Sequence, residues 1–251
     1  MTTQALLEVR NLRKAFGGVV AVSDVSFAVA PGELVALIGP NGAGKTTCFN
    51  LINGQLVPDA GSIRLAGTSI AGLPAQRIAA LGVGRTFQTA AIFASMTVRE
   101  NVQLALIAHG GEQWRLTTRA SAAHVDQADV LLARVGASAL AANTCATLAY
   151  GDLKRVELAV ALAASPRLLL MDEPTAGTAP GDRAQLMRLT ASLVRTNGMA
   201  ALFTEHDMDV VFAHADRVIV LDRGVVIAQG LPAEVRADPR AQAAYFGDAV
   251  T

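Results

Sequence analysis

Eight consecutive residues, Gly39-Pro40-Asn41-Gly42-Ala43-Gly44-Lys45-Thr46, set three glycines, a lysine and a hydroxyl side by side. Glycine lets backbone N–H groups curl around an oxyanion without obstruction from side chains. A helix starting near Lys45 would add its positive N-terminal end. The spacing is that of a phosphate loop: glycine, four residues, then Gly-Lys-Thr. In that chemistry Gly39, Asn41, Gly42, Ala43, Gly44, Lys45, Thr46 and Thr47 surround the phosphates. Lys45 reaches the β and γ phosphates, and the Thr46 hydroxyl is a magnesium ligand.

Two acids, Asp172 and Glu173, close the apolar run LLLMDEP (168–174). Ligands of open parallel sheets gather at the carboxyl ends of the strands, which would turn both acids toward the phosphate loop. Asp172 would then hold magnesium, and Glu173 would orient and deprotonate an attacking water. Alone, Asp-Glu before Pro reads as an N-cap pair on a surface loop; the phosphate loop tips the balance. His206 ends AALFTEH (200–206), a strand end expected on the same edge, where it would meet a γ-phosphate instead of serving structure. Gln88 ends GVGRTFQ (82–88), and an amide there can coordinate magnesium and the water; its other reading is a polar strand end. Phe16, in RKAFGG, either stacks on adenine or caps the core of an N-terminal strand.

These residues need a scaffold of strands ending at one edge. ELVALIGP (33–40), LLLMDEP, AALFTEH and RVIVLD (217–222) are short buried-strand runs, and KTTCFNLING (45–54) reads as a helix closed by Gly54. SIRLAG (62–67) and GVGRTFQ add further strands. Thr97-Val98-Arg99-Glu100 is a capping box, with Val98, Val102, Ala105 and Leu106 on one face behind it, and a second helix is expected from Ser121 to Gly136. The expected organisation is one domain over 1–251, with a catalytic lobe of 1–90 and 166–251 and an inserted helical lobe of 91–165.

Composition agrees with a packed α/β fold and argues against several functions. Hydrophobic residues make up 52% of the 251 and aromatics only 4%, an excess of Ala, Val and Leu suited to parallel strands and close helices. Lys plus Arg and Asp plus Glu each total 21, so charge gives no support to nucleic acid as a partner. No apolar run reaches membrane-spanning length, MTTQALLEVR does not read as a signal peptide, and Cys48 and Cys145 form no metal or disulfide spacing. A cytosolic location is expected.

Together the motifs resemble the ATP-binding cassette ATPases over essentially the whole chain, and within them the ATPases of branched-chain amino acid importers, of the larger, first type. The likeness is carried by FGGVVAV (16–22), GRTFQ (84–88), MTVRENV (96–102), LAYGD (148–152) followed by KRVELA, TEHDMDVV (204–211) and AYFGD (244–248). The resemblance implies a P-loop α/β core with an antiparallel β subdomain and the helical insert. It implies ATP and Mg²⁺ as ligands, a second ATPase subunit bound head to tail, and membrane permease subunits. A periplasmic solute-binding protein would act indirectly, and the chain would sit peripherally on the inner face of the cell membrane. Gly151, in the signature turn, would approach the ATP of the opposite subunit.

Two residues depart from the family pattern. Ala149 stands where a signature serine is most frequent, a loss of about 1.5–3 kcal/mol of charge-assisted hydrogen bonding to the γ-phosphate. Ala179, in EPTAGTAP (173–180), replaces an Asp or Asn that links the two active sites. Ile92 and Phe93 are expected as apolar surface toward a permease. An exporter or lipid-extracting ATPase, a soluble cassette protein of DNA repair or translation, and a binding module without turnover are the competing readings. GRTFQ and the intact catalytic set oppose them.

Overall fold

The computed structural model describes residues 5–86, 92–111 and 123–246. Gln88, Trp114 and Ser121 lie outside the described residues. Two sheets and a group of helices build the chain. β1 (Leu7–Phe16), β2 (Val19–Val29), β4 (Ala60–Leu65) and β5 (Thr68–Ser69) pair antiparallel in the order β2-β1-β4-β5. The second sheet runs β10-β9-β3-β8-β7-β6 and is parallel except for its edge hairpin. Its strands are β3 (Leu34–Ile38), β6 (Val83–Thr86), β7 (Leu168–Asp172), β8 (Ala200–Thr204), β9 (Arg217–Asp222) and β10 (Val225–Gly230).

The central strands read as unbroken apolar runs because both faces are covered. Leu34, Ala36 and Ile38 of β3, with Leu169 and Met171 of β7, pack toward the helices. Val35, Leu37, Leu168 and Leu170 point the other way, into a core shared with β1, β2, β4 and α1 (Lys45–Ile52). The alternation is the period of two that strand geometry requires.

Between β6 and β7 the described elements are helical: α3 (Val98–His109), α4 (Val125–Arg134) and α5 (Tyr150–Leu162), with one isolated bridge between Thr97 and Thr144. α2 (Ala75–Ala80) precedes β6, and α6 (Pro180–Asn197), α7 (Met208–His214), α8 (Pro232–Ala237) and α9 (Pro239–Phe246) complete the order. Both halves of the Thr97–Glu100 capping box form. Val98 and Val102 are buried beneath it, with Ala105 and Leu106 packed alongside. Gly54, at φ 76, follows the Asn53 cap of α1 as expected.

Three local readings are corrected. α4 begins at Val125, with His124 left-handed at its N-cap, four residues beyond the expected start. Ile92 packs against the helical core instead of lying on the surface, whereas Phe93 is 57% exposed. Glu173 and His206 fall just past their strands, since β7 ends at Asp172 and β8 at Thr204.

Candidate active site

The strand order β3-β8-β7 brings three strand ends together, and the site forms where they meet. A cleft of about 210 Å³ is lined by Asn41, Gly42, Ala43, Gly44, Lys45, Thr46 and Thr47 of the loop and first turn, by Asp172 and Glu173 after β7, by His206 after β8, and by Ala21 of β2. The residues expected to cooperate therefore share one space, Gln88 apart. Gly39 sits at the loop's base, and Phe16 lies on the β1–β2 hairpin that also carries Ala21. Phe16 is 46% exposed, so it is not a core residue; Lys14 Nζ lies 5.6 Å from its ring centroid.

The loop's glycines answer to different constraints. A Cβ on Gly44 would lie 2.4 Å from the Ala21 carbonyl oxygen, and its φ of 104 is a conformation that other residues rarely adopt. Gly42, at φ 79, has open space around it, which leaves its backbone accessible. Lys45 folds over the loop, its ammonium donating to the carbonyls of Gly39 at 2.6 Å and Pro40 at 3.1 Å. Burial pushes the Lys45 pKa below the ordinary lysine value, against the opposing pull of Glu173 and Asp172.

The acids are held by β8. Thr204 donates its hydroxyl to Asp172 Oδ1 at 2.8 Å, and the Glu173 N–H donates to the Thr204 carbonyl at 3.2 Å and hydroxyl at 3.1 Å. Glu173 adopts φ 48, a left-handed conformation costing about 1–2 kcal/mol for an L-residue. The turn places its carboxylate 2.9 Å from His206 Nε2. That pair, open to solvent on one side, can hold a water-activating carboxylate beside an imidazole.

Several contributors escaped the sequence reading. Buried Glu205 accepts the N–H and hydroxyl of Thr175 at 2.8 and 2.7 Å, which locks the turn after Glu173; desolvation raises its carboxyl pKa despite these bonds. Arg183 bridges the same segment to Asp207 at 2.8 Å. Tyr245 of α9 accepts the Gly39 N–H on its hydroxyl, so the C-terminal helix supports the phosphate loop's first residue. GRTFQ, LFTEH and AYFGD contain Arg85, Thr204, Glu205 and Tyr245, but no spacing rule marks them.

The signature turn is a helix start. Ala149 is the N-cap of α5, without a side-chain cap, and Gly151 is in its first turn. A Cβ on Gly151 would lie 2.9 Å from Asp182 Oδ2 of α6, the movable end of a side chain, so the two helix starts lie close together here. Gly177 similarly faces the Tyr150 ring, 3.0 Å from where its Cβ would be.

Comparison with known proteins decides the family. The ABC transporter family model matches residues 22–176. The chain belongs to the ABC transporter ATPases. A second model, branched-chain amino acid ATP-binding cassette transporter, matches residues 225–251 of this ABC ATPase. The high-affinity branched-chain amino acid transport ATP-binding protein LivG of Escherichia coli K12 is 40% identical to it, across 98% of this chain and 100% of LivG. The lipopolysaccharide export system ATP-binding protein LptB of the same organism is 36% identical, across 97% and 98%. Among solved structures, the ADP conformation of MJ1267, an ATP-binding cassette of an ABC transporter, superposes with a TM-score of 0.88 at 31% identity, covering 98% of this chain and all of that one. The fold and enzyme class expected from the motifs are thus borne out: an ABC ATPase with a mixed α/β core, an antiparallel sheet and inserted helices.

The donor chemistry of the cleft fits a nucleotide with Mg²⁺. Among the described residues no three His, Cys, Asp or Glu side chains converge on a metal-sized site. Mg²⁺ needs no such cage, because it takes one or two protein oxygens and completes its shell with phosphates and water. Thr46 and Asp172 supply hard oxygens in the same cleft.

Proposed function

We propose that the chain is the ATP-hydrolysing subunit of a membrane importer for branched-chain amino acids or related small solutes. The observation that carries the catalytic part is the shared cleft of Lys45, Thr46, Asp172, Glu173 and His206, with Glu173 and His206 in contact at 2.9 Å. Lys45 moves from the loop carbonyls to the β and γ phosphates, which backbone N–H groups between Asn41 and Thr47 surround. Thr46 and Asp172, with Gln88, would hold Mg²⁺, whose charge offsets that developing on the phosphates. Glu173 orients a water and takes its proton, and His206 fixes that carboxylate and contacts the γ-phosphate. Exposed Phe16 stacks on the adenine.

Two copies, or this chain and a second ATPase, would close head to tail, each presenting Gly151 and the N-terminus of α5 to the other's nucleotide. A dimeric post-hydrolysis cassette, MJ0796 bound to ADP and Pi, shares the fold with a TM-score of 0.76 and 25% identity. The proposed lobes, 1–90 with 166–251 and the inserted 91–165, would move against each other, and the helical insert would carry that motion to permease subunits. The chain would bind the cytoplasmic face peripherally; no helix among the described residues is long and apolar enough to cross a membrane. A periplasmic binding protein would deliver the solute. The C-terminal match at 225–251 and the higher identity to LivG than to LptB favour import over export.

Solution mass and uptake test this reading. Glu173→Gln should bind ATP without turning it over, and light scattering should show its mass doubling with ATP and Mg²⁺. Cells lacking the chain should lose uptake of labelled leucine or valine, restored by the wild type and not by Glu173→Gln. Unchanged uptake of both in the deletion would remove branched-chain amino acids as the solute, and wild-type turnover in Glu173→Gln would refute the catalytic assignment.

A further inference from the structure

Arg85 has no part in the scheme above, yet it touches its metal-binding acid. It stands on β6, in parallel register with Leu170 of β7. Its Nη2 lies 3.2 Å from Asp172 Oδ2, and both side chains are largely enclosed, at 9% and 16% exposure. From Nη1 it donates to Asn50 Oδ1 at 2.7 Å and Gln55 Oε1 at 3.1 Å, and its guanidinium carbon lies 5.9 Å from the Phe49 ring centroid. Thr204 takes the other oxygen of the same carboxylate at 2.8 Å. One planar fork thus ties together the helix that opens at Lys45, the turn after that helix, and Asp172. It does so from the strand whose continuation leads to Gln88.

A partly buried carboxylate is costly without an opposite charge, and an enclosed guanidinium equally so without a carboxylate. A divalent cation arriving near Asp172 supplies that opposite charge and repels a second cation beside it. Arg85 and the metal therefore compete for the field of one acid. The Asn50 and Gln55 oxygens give the guanidinium polar partners when the metal prevails.

We propose that Arg85 is a positioning residue, the built-in counter-ion of Asp172. It holds that carboxylate in place whenever metal is not bound and yields it to Mg²⁺ when the nucleotide site fills. The proposal rests on the reading of Asp172 as the metal-binding acid. A plain structural staple between β6, β7 and α1 would support the fold equally with and without metal; a counter-ion supports it chiefly without.

Thermal unfolding of Arg85→Met with a non-hydrolysable ATP analogue separates the two. Compared with wild type, the variant should lose at least about twice as many degrees in EDTA as in saturating Mg²⁺, because the metal replaces the lost charge. Its Mg²⁺ midpoint for nucleotide binding, read by calorimetry, should fall about three- to tenfold with the repelling cation gone. Equal losses in EDTA and Mg²⁺ overturn the proposal. If Arg85→Met does not fold, Arg85→Lys keeps the charge and loses the fork; a counter-ion survives that change, so its melting temperature in EDTA should stay near wild type, and a loss of equal size in EDTA and in Mg²⁺ overturns the proposal. Asp172→Asn, measured alongside, isolates the parent reading: an unmoved Mg²⁺ midpoint there removes Asp172 from the metal site, whatever Arg85 does.

Discussion

Removing one oxygen from the C-terminal helix should loosen the phosphate loop. Tyr245 accepts the Gly39 N–H, and Gly39 is buried at the end of β3. In Tyr245→Phe the ring remains against the helical core while the N–H loses this acceptor in a place water does not readily reach. An unpaired buried donor costs about 1–3 kcal/mol. A central value of about 2 kcal/mol corresponds to a melting temperature lower by about 4–8 °C for a domain of this size. The hydroxyl stays protonated throughout the neutral range, because burial pushes its pKa to about 12 against the opposing effect of the Gly39 N–H. The loss should therefore be flat between pH 6 and 9, a window set about three units or more below that value. Calorimetric melting and titration with ATP are the assays, with Tyr245→Ala as the comparison that also deletes the ring. Nucleotide affinity should fall in Tyr245→Phe, because binding must then reorder a loop that the hydroxyl had fixed. A variant that melts and binds as wild type does, beside a crippled Tyr245→Ala, would show that the tail acts by packing alone.

Other substitutions probe the remaining parts of the site. Lys45→Met removes an ammonium that burial disfavours, so the nucleotide-free chain should melt no lower than wild type while the ATP-induced rise in melting temperature disappears. Glu205 has a raised folded pKa, so its contribution is fully present below its ordinary value of 4.5 and is lost as pH rises through the folded value. Chemical denaturation of Glu205→Gln should lack that decline, and parallel pH profiles for the two chains would refute the assignment. Ala149→Ser should raise the melting temperature without ATP by capping α5, and in the Glu173→Gln background it should tighten ATP-driven dimers about tenfold, the equivalent of about 1.4 kcal/mol; sedimentation reads the second effect.

The parts legible in sequence were those whose information is local. The phosphate loop is contiguous, and the runs LVALI and LLLMD announce strands because both of their faces are covered. The capping box at Thr97 is likewise written in four residues. What escaped depends on contacts between distant segments. Thr204 meets Asp172 across 32 residues, Arg85 meets it across 87, and Tyr245 meets Gly39 across 206. No periodicity encodes such meetings; the strand order β3-β8-β7 does, and that order is not chain order. The left-handed turn at Glu173 was hidden for another reason. Glutamate has no preference for it, so the conformation follows from the hydrogen bonds of its N–H to Thr204.

The two alanines that depart from the family pattern acquire a second meaning in the fold. Ala149 and Ala179 are the N-caps of α5 and α6, and neither supplies a side-chain cap. A serine or aspartate at these positions could bond either its own helix or a neighbouring subunit, so alanine removes about 1 kcal/mol of local stabilisation as well as any contact across a dimer. Each helix retains partial substitutes: Pro180 and Asp182 in the first turn of α6, and Asp152 in that of α5. The helix starts also brace each other, with Gly151 close against Asp182 and Tyr150 against Gly177. Tyrosine in the signature turn and glycine in the segment after Glu173 are therefore one packing solution. A side chain at 177 would displace the ring, and the ring in turn sets the N-terminus of α5, the surface proposed to meet the other subunit's nucleotide. The signature turn and the turn after Glu173 are thus in direct contact within one chain. In the proposed head-to-tail dimer that contact would offer a path between the two sites in place of the carboxylate that Ala179 lacks.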